Sequence, residues 1–314
     1  MNPLFAHNKI NDDVLAVYYQ LVARYMGRRE VTAIDIGYIR RNGEVSQDLG
    51  VRIHVKEKFA PIHLDAREVF PDAIRDVEID VLVSRFAHHA TPVAGSYNKE
   101  SERSKPHDPI RPGISVGDKG ARGTIGLFVK DKEEHFWMVS CDHVIASAQR
   151  PDNDWVFQPA WSDDSAGRKV AELHRWDRPT NSAAARLVNG VRYTNVPFGW
   201  NSNQRISGVR EPKLSDVLVK SGRTTGISWG VVDGIADNYD GVTNGVYIVP
   251  HDPENGGDVE LSRGGDSGAI WYDPETMEAV GLHVKGAADP NPVNDYGIAS
   301  TLTAVLEELG LQAP

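Results

Sequence analysis

The stretch LSRGGDSGAIW, residues 261 to 271, sets Ser267 in a glycine-rich turn. Glycine and serine are common turn residues, so the string by itself also fits a bare loop. Read as chemistry, it makes Ser267 a nucleophile, and a serine hydroxyl attacks near neutral pH only if a base takes its proton. Histidine titrates in the right range. His143 ends the run HFWMVSCDH, an apolar strand entering a turn. A strand-end histidine satisfied by backbone is the competing reading. Because the two residues lie far apart in the chain, they work together only in a fold that brings distant strands to one interface.

The elements that must position them change texture once. Residues 11 to 27, NDDVLAVYYQLVARYMG, have helical apolar spacing behind an Asn/Asp cap. Two alternating runs around Asn42-Gly43 then read as a hairpin. A short helix in HLDAREVFPDAIRD and a strand in VEIDVLVSRF complete a small α+β domain, residues 1–86. Residues 87–112, rich in Pro, Ser and charge, read as a linker. His88 and His89 within it have no second ligand pair at metal-site spacing, so they read as solvated loop residues. From 113 to 314, short apolar runs recur between Gly, Pro, Asn and Asp, the pattern of an all-β sandwich or barrel; only STLTAVLEELG looks helical.

Composition narrows the function classes. A formal net charge of -10 argues against nucleic acid as a partner. No stretch approaches the roughly 18 consecutive apolar residues of a membrane helix. One cysteine, Cys141, excludes an intramolecular disulfide, and the opening MNPLFAHNKINDDV has no signal-peptide pattern, so the expected compartment is the cytoplasm. Cys141, at a strand end, reads as a buried structural thiol. No metal or cofactor is implied. KSGRTTG lacks the Gly-Lys-Ser/Thr order of a phosphate loop, and Ala269, two residues after Ser267, breaks the Gly-x-Ser-x-Gly of an α/β-hydrolase.

SCDHV before KSGRTTG, GGDSGAIW and VGLHVKG resembles the trypsin-like, chymotrypsin-fold serine peptidases. With RPGISVG, GTIGLFV and the N-terminal GVRIHVKEK, the chain looks more narrowly like bacterial trypsin-like peptidases related to the plant NARROW LEAF proteins. The resemblance implies a mainly β chain, a chymotrypsin-like double β-barrel behind the small N-terminal α+β domain, that hydrolyses protein or peptide substrates. It makes Ser267 the nucleophile, His143 its general base, and the backbone N–H groups of Gly265 and Ser267 the oxyanion hole. Asp266 supports the loop, in relatives often through a buried ion pair. In relatives a new amino terminus can supply that ion pair, and RPGISVG lies about where it would arise; Arg111-Pro112 is, however, a poor tryptic site.

At the acid position the chain departs from the pattern. NSAAARL places Asn181 where relatives have aspartate. Loss of that carboxylate in the well-studied case costs about ten thousandfold in turnover. Three explanations stay open: Asn181 orients His143 through its amide oxygen, it is an engineered silencing change, or Asp177 supplies the carboxylate. A degraded peptidase that binds peptides or proteins without cutting them is the non-enzyme alternative. An adaptor or restraint role for the N-terminal domain is a third. For the substrate pocket, Leu261 stands where Arg- and Lys-cutting relatives hold an acid. Ser262 and His283 resemble positions that bind Glu or Gln side chains. Arg263 and Lys285 are expected to add positive potential favouring Glu.

Overall fold

The structure, a computed structural model, describes residues 2–41, 44–58, 69–88, 102–147, 154–200, 204–251, 260–288 and 295–314. The Asn42-Gly43 turn, His89 and residues 63–68 of the expected short helix lie outside them. Of the remainder of that segment, Ala73–Ile74 is a strand.

Two strand systems meet at the site. In the first, the strands Trp155–Gln158, Arg168–Asp177, Ser182–Leu187, Phe136–Cys141 and Leu127–Lys130 pair antiparallel in that order. Alternation along FWMVSC sends Trp137, Val139 and Cys141 one way and Met138 and Ser140 the other, and all five are buried. In the second, Val217–Gly222 pairs with Gly226–Tyr239 on one side and with Ile270–Tyr272 on the other. That double pairing closes six strands into a barrel and removes its free edges. The terminal helix Leu302–Glu308 adds Leu302, Val305 and Leu306 to the core.

Residues 1–86 do not stand clear of this barrel. Val31–Arg41 reads VTAIDIGYIRR, apolar on both faces, and such a strand needs neighbours on both sides. It pairs with Glu44–Val55 and also with Gly226–Tyr239, with Ile36 opposite Ile235 and Gly37 opposite Gly234. Helix Asp12–Tyr25, capped by Asn11 accepting from the Val14 N–H at 2.8 Å, buries Val17, Tyr18 and Leu21. These share one core with Leu218, Val232, Ile248 and Trp271 of the barrel. The sequence pattern places a boundary near residue 86, and the pairing of Val31–Arg41 with Gly226–Tyr239 joins the two sides of it.

A buried charge cluster stitches the seam. Arg52 donates to Asp35 Oδ1 at 2.8 Å and Oδ2 at 2.5 Å, and to Asp233 Oδ2 at 2.5 Å. The guanidinium lies on Gly37 and Gly234, where a Cβ would sit 2.3 Å and 2.1 Å from its atoms. Only glycine at both positions lets the cation cover the sheet.

Of the expected linker, residues 102–112 are described, and they are packed. Arg103 donates to the Gly113 carbonyl at 2.8 Å, Ser221 Oγ at 2.6 Å and the Phe198 carbonyl at 2.7 Å. Ile110 is fully buried. His107 N–H also donates to Gln158 Oε1 at 3.0 Å and Ile110 N–H to the Arg192 carbonyl at 2.9 Å, partnerships that a polar, Pro-rich composition does not show.

Asp35→Ala leaves Arg52 buried with one carboxylate fewer, and a loss of about 3–5 kcal/mol is expected. A chain beginning at Glu102 should likewise unfold at lower temperature than the full chain. Equal melting temperatures in calorimetry would show that the seam contributes nothing.

Candidate active site

Hydrogen bonds take some of the N–H groups around Ser267 and leave those of Gly264, Gly265 and Ser267 without an acceptor among the described residues. Asp266 N–H donates to the Arg263 carbonyl at 3.0 Å and Gly268 N–H to the His283 carbonyl at 2.9 Å. Between them, the N–H groups of Gly265 and Ser267 meet no acceptor among the described residues. Gly265 has φ +103°, a conformation that glycine adopts without strain. The carbonyls on either side of its Cα are clamped from two directions: Thr224 Oγ1 donates to the Gly264 carbonyl and Thr124 Oγ1 to the Gly265 carbonyl, each at 2.8 Å. In a trans peptide the C=O and N–H point oppositely. Holding the Gly264 carbonyl on Thr224 therefore aims the Gly265 N–H away from that threonine.

Beneath the turn lies a buried ion pair. Lys220 Nζ stands 3.2 Å from Asp266 Oδ2, both side chains fully buried. Asp266 also accepts from Thr224 N–H at 2.8 Å, Thr225 N–H at 3.2 Å, Thr225 Oγ1 at 2.7 Å and Arg263 N–H at 3.0 Å. Burial alone would raise the carboxyl's pKa; Lys220 and these donors outweigh it and hold the group well below the usual carboxylate range. The ammonium that orders the loop thus comes from inside the chain. KSGRTTG, read from sequence as a strand-turn-strand, contributes Lys220, Thr224 and Thr225 to it, a role its turn-like composition does not signal.

The first strand system delivers the histidine. Cys141 Sγ donates to the His283 carbonyl at 3.2 Å, the same oxygen that receives Gly268 N–H. Thr124 N–H donates to the Ser267 carbonyl at 2.9 Å. The chain leading to His143 and the turn carrying Ser267 therefore converge on one carbonyl. Ser267 Oγ itself donates to the Val284 carbonyl at 3.2 Å. Burial pushes the Cys141 thiol well up, so it is inert.

Asn181 follows from strand register. Ser182 pairs with Cys141, so the preceding residue lands beside Asp142 and His143. Its φ of +54° is one that Asn tolerates, and its carbonyl accepts Asp142 N–H at 3.1 Å. Its Oδ1 is 2.5 Å from His143 Nδ1. An amide oxygen there calls for a proton on Nδ1, which leaves Nε2 as the basic nitrogen. Asp177 is turned to other work: its Oδ2 accepts from Thr180 N–H at 2.8 Å and Thr180 Oγ1 at 2.7 Å.

Ser262 and His283 are both buried next to this turn. Ser262 Oγ has no hydrogen-bond partner among the described residues. Trp271 Nε1–H donates to His283 Nδ1 at 3.4 Å, so a neutral ring carries its proton on Nε2. The two cations expected to charge the pocket are held by acids: Lys285 Nζ by Asp240 Oδ2 at 2.9 Å and Arg263 by Glu260. The first pair joins residues 45 apart in the chain, where nothing local in the sequence names the partner. Asp295, whose carboxyl is raised by burial, accepts Leu261 N–H at 2.6 Å and Ser262 N–H at 3.2 Å. A further acidic group, Asp131 with Glu133 and His135, closes the hairpin before Phe136 and is held by Trp137 Nε1–H at 3.0 Å.

No family model and no curated protein sequence matches the chain. Solved structures do. A glutamic-acid-specific serine protease whose substrate binding uses a histidine triad aligns at 20% identity with a TM-score of 0.51, over 65% of this chain and 100% of its own. Protease A of Thermobifida fusca aligns at 18% identity and 0.48, over 65% of this chain and 97% of its own. The fold is the chymotrypsin-like double β-barrel. Its structural neighbours are bacterial serine proteases of that fold.

Thr224→Val removes the hydroxyl on the Gly264 carbonyl while keeping shape. If the Gly265 N–H is an oxyanion donor, the acylation rate of Ser267 should fall roughly ten- to hundredfold, and Thr224→Ser should restore it. An unchanged rate in the valine variant would show that the clamp is irrelevant to reactivity.

Proposed function

We propose that the chain is a serine endopeptidase in which Ser267 attacks the peptide carbonyl, His143 Nε2 takes its proton, and the N–H groups of Gly265 and Ser267 receive the oxyanion. The observation that carries this reading is the Ser267 turn, in which the Asp266 and Gly268 N–H groups are taken and those of Gly265 and Ser267 meet no acceptor among the described residues. Donors held in place before charge develops are the largest single source of stabilisation in acyl transfer. Asn181 orients the ring in the tautomer the base needs. The same asparagine supports the second reading, a weakened peptidase acting as a peptide- or protein-binding module. We favour the enzyme because Lys220, Asp266 and the two threonine clamps form a loop support that binding alone does not require.

The pocket reading is cleavage after glutamine or glutamate, with Ser262 Oγ and His283 Nε2–H as paired donors to the side-chain oxygen. A buried donor pair rejects side chains that lack the acceptor. The structural neighbour of 0.51 TM-score is glutamate-specific and uses a histidine triad; here Trp271 backs His283 on its inner nitrogen. Lys285 and Arg263 are each bound to an acid, and Asp295 adds a carboxylate beside Ser262. The charge balance places glutamine ahead of glutamate. Leu261, buried in the core, gives a cationic side chain no counter-charge.

The likeness to NARROW LEAF-related bacterial peptidases fits this function, and a lone buried thiol is compatible with the reducing cytoplasm we assign to it. Among the described residues no helix is long and apolar enough to cross a membrane.

A fluorophosphonate should label the wild-type chain and not Ser267→Ala; equal labelling of both would sink the nucleophile assignment. Asn181→Asp is expected to raise the labelling rate by orders of magnitude. On that more active form, a peptide library should report cleavage after Gln, then Glu, with loss of both preferences in His283→Ala. Cleavage chiefly after Arg, Lys or Leu would overturn the pocket reading while leaving the nucleophile intact.

A further inference from the structure

With asparagine at the acid position, the imidazolium formed as Ser267 attacks has a hydrogen bond from its inner nitrogen and no charge at the end of it. Asp142 stands next to it. Its Oδ1 lies 3.8 Å from His143 Nδ1, a distance too long for a hydrogen bond and short enough for strong charge interaction. That Oδ1 is buried and has no hydrogen-bond partner among the described residues. A buried, unpartnered carboxylate oxygen is costly unless something compensates for it.

We infer that the work of one catalytic aspartate is divided here between two residues: Asn181 orients His143, and Asp142 supplies the negative charge that stabilises its imidazolium. This rests on the peptidase reading above. The geometry explains how the parts are held. Asn181's carbonyl accepts Asp142 N–H at 3.1 Å, so the orienting residue and the charged one are tied by backbone and present themselves to His143 together. Asp142 opens the one-turn helix Asp142–Ile145, which keeps the carboxylate against the ring of the next residue. The other charged groups acting on Asp142 are Arg178 and Asp177, one favouring its ionised form and one opposing it. Burial raises the Asp142 carboxyl above its ordinary value, with the His143 N–H and Arg178 working against that rise. An imidazolium forming 3.8 Å away favours the carboxylate. Asp142 acts through His143 and touches no substrate.

The sign of the effect is fixed. A neighbouring negative charge favours the protonated ring, so its removal eases deprotonation and moves the acid limb of the activity profile to lower pH. It also removes stabilisation of the charge formed during attack, so the plateau rate falls. The test uses the full chain and the rate of fluorophosphonate labelling of Ser267 between pH 5 and 9, which needs no knowledge of the substrate. In Asp142→Asn the plateau should drop roughly tenfold or more, with the acid limb displaced downward by about one pH unit. In the Asn181→Asp background, where a carboxylate again faces Nδ1, the same Asp142→Asn change should cost less than about threefold. Labelling of that double variant also verifies that the chain folds with Asp142→Asn in place; Asp142→Ser is substituted for it if it does not. An unchanged plateau and acid limb in Asp142→Asn overturns the division of labour alone. An equal loss in both backgrounds overturns it too, because it marks a structural role. Absence of any Ser267 labelling in the wild-type chain overturns the peptidase reading and this inference with it.

Discussion

The turn that carries Ser267 keeps its backbone N–H groups in one orientation only if it cannot roll over, and in this protein that constraint rests on the buried pair of Lys220 and Asp266. A carboxylate with no exposure beneath the Ser267 turn has to stay charged to hold Arg263, Thr224 and Thr225 around it. Lys220 makes that possible at 3.2 Å. Because the folded carboxyl is held below the unfolded value of about 3.9, its stabilising contribution is complete above that pH and is lost only as the medium falls through the lower, folded value. The turn is therefore supported throughout the range in which a histidine base works.

The support comes from both strand systems. Thr224 follows Lys220 in the second and clamps the Gly264 carbonyl, while Thr124, in the short strand Gly123–Thr124 that precedes Leu127–Lys130 of the first, reaches the Gly265 carbonyl. Arg223 N–H donates to Thr124 Oγ1 at 3.0 Å, and its guanidinium binds Asp163 of the first system, with Nε to Oδ2 at 2.8 Å. One tripeptide, Arg223-Thr224-Thr225, thus joins the two halves, orients the Ser267 turn and anchors its ion pair. A site assembled between two barrels needs such a tie, since His143 and Ser267 arrive on different ones.

How much of this is legible in the chain depends on whether the signal is local. Strands such as FWMVSC and VLVKSG show their alternation, and the Ser267 turn shows its glycines. Asn181 is singled out by the resemblance, with Asp177 left open; in the structure, Ser182 opposite Cys141 sets the preceding residue beside Asp142 and His143. Partnerships across the chain are not legible. Lys220 with Asp266 and Arg52 with Asp233 join residues far apart in the chain, and nothing in either neighbourhood names the other. The packing of residues 102–112 is hidden for a related reason: composition averages over residues, while the segment is held by particular partners, Arg103 through three acceptors and the His107 and Ile110 N–H groups on Gln158 and Arg192.

The same argument bears on the N-terminal residues. A strand as apolar on both faces as VTAIDIGYI cannot end a sheet facing water, so it extended the barrel's sheet and brought Arg52 over the seam. Gly234, which admits that guanidinium, lies on the long strand Gly226–Tyr239. That strand also pairs residue by residue with the segment holding Lys220. The strand carrying the seam and the strand carrying the loop's cation are hydrogen-bonded neighbours. Distortion at the N-terminal junction has a direct covalent and hydrogen-bonded route to the support of the Ser267 turn, so the first 86 residues and that turn are structurally linked.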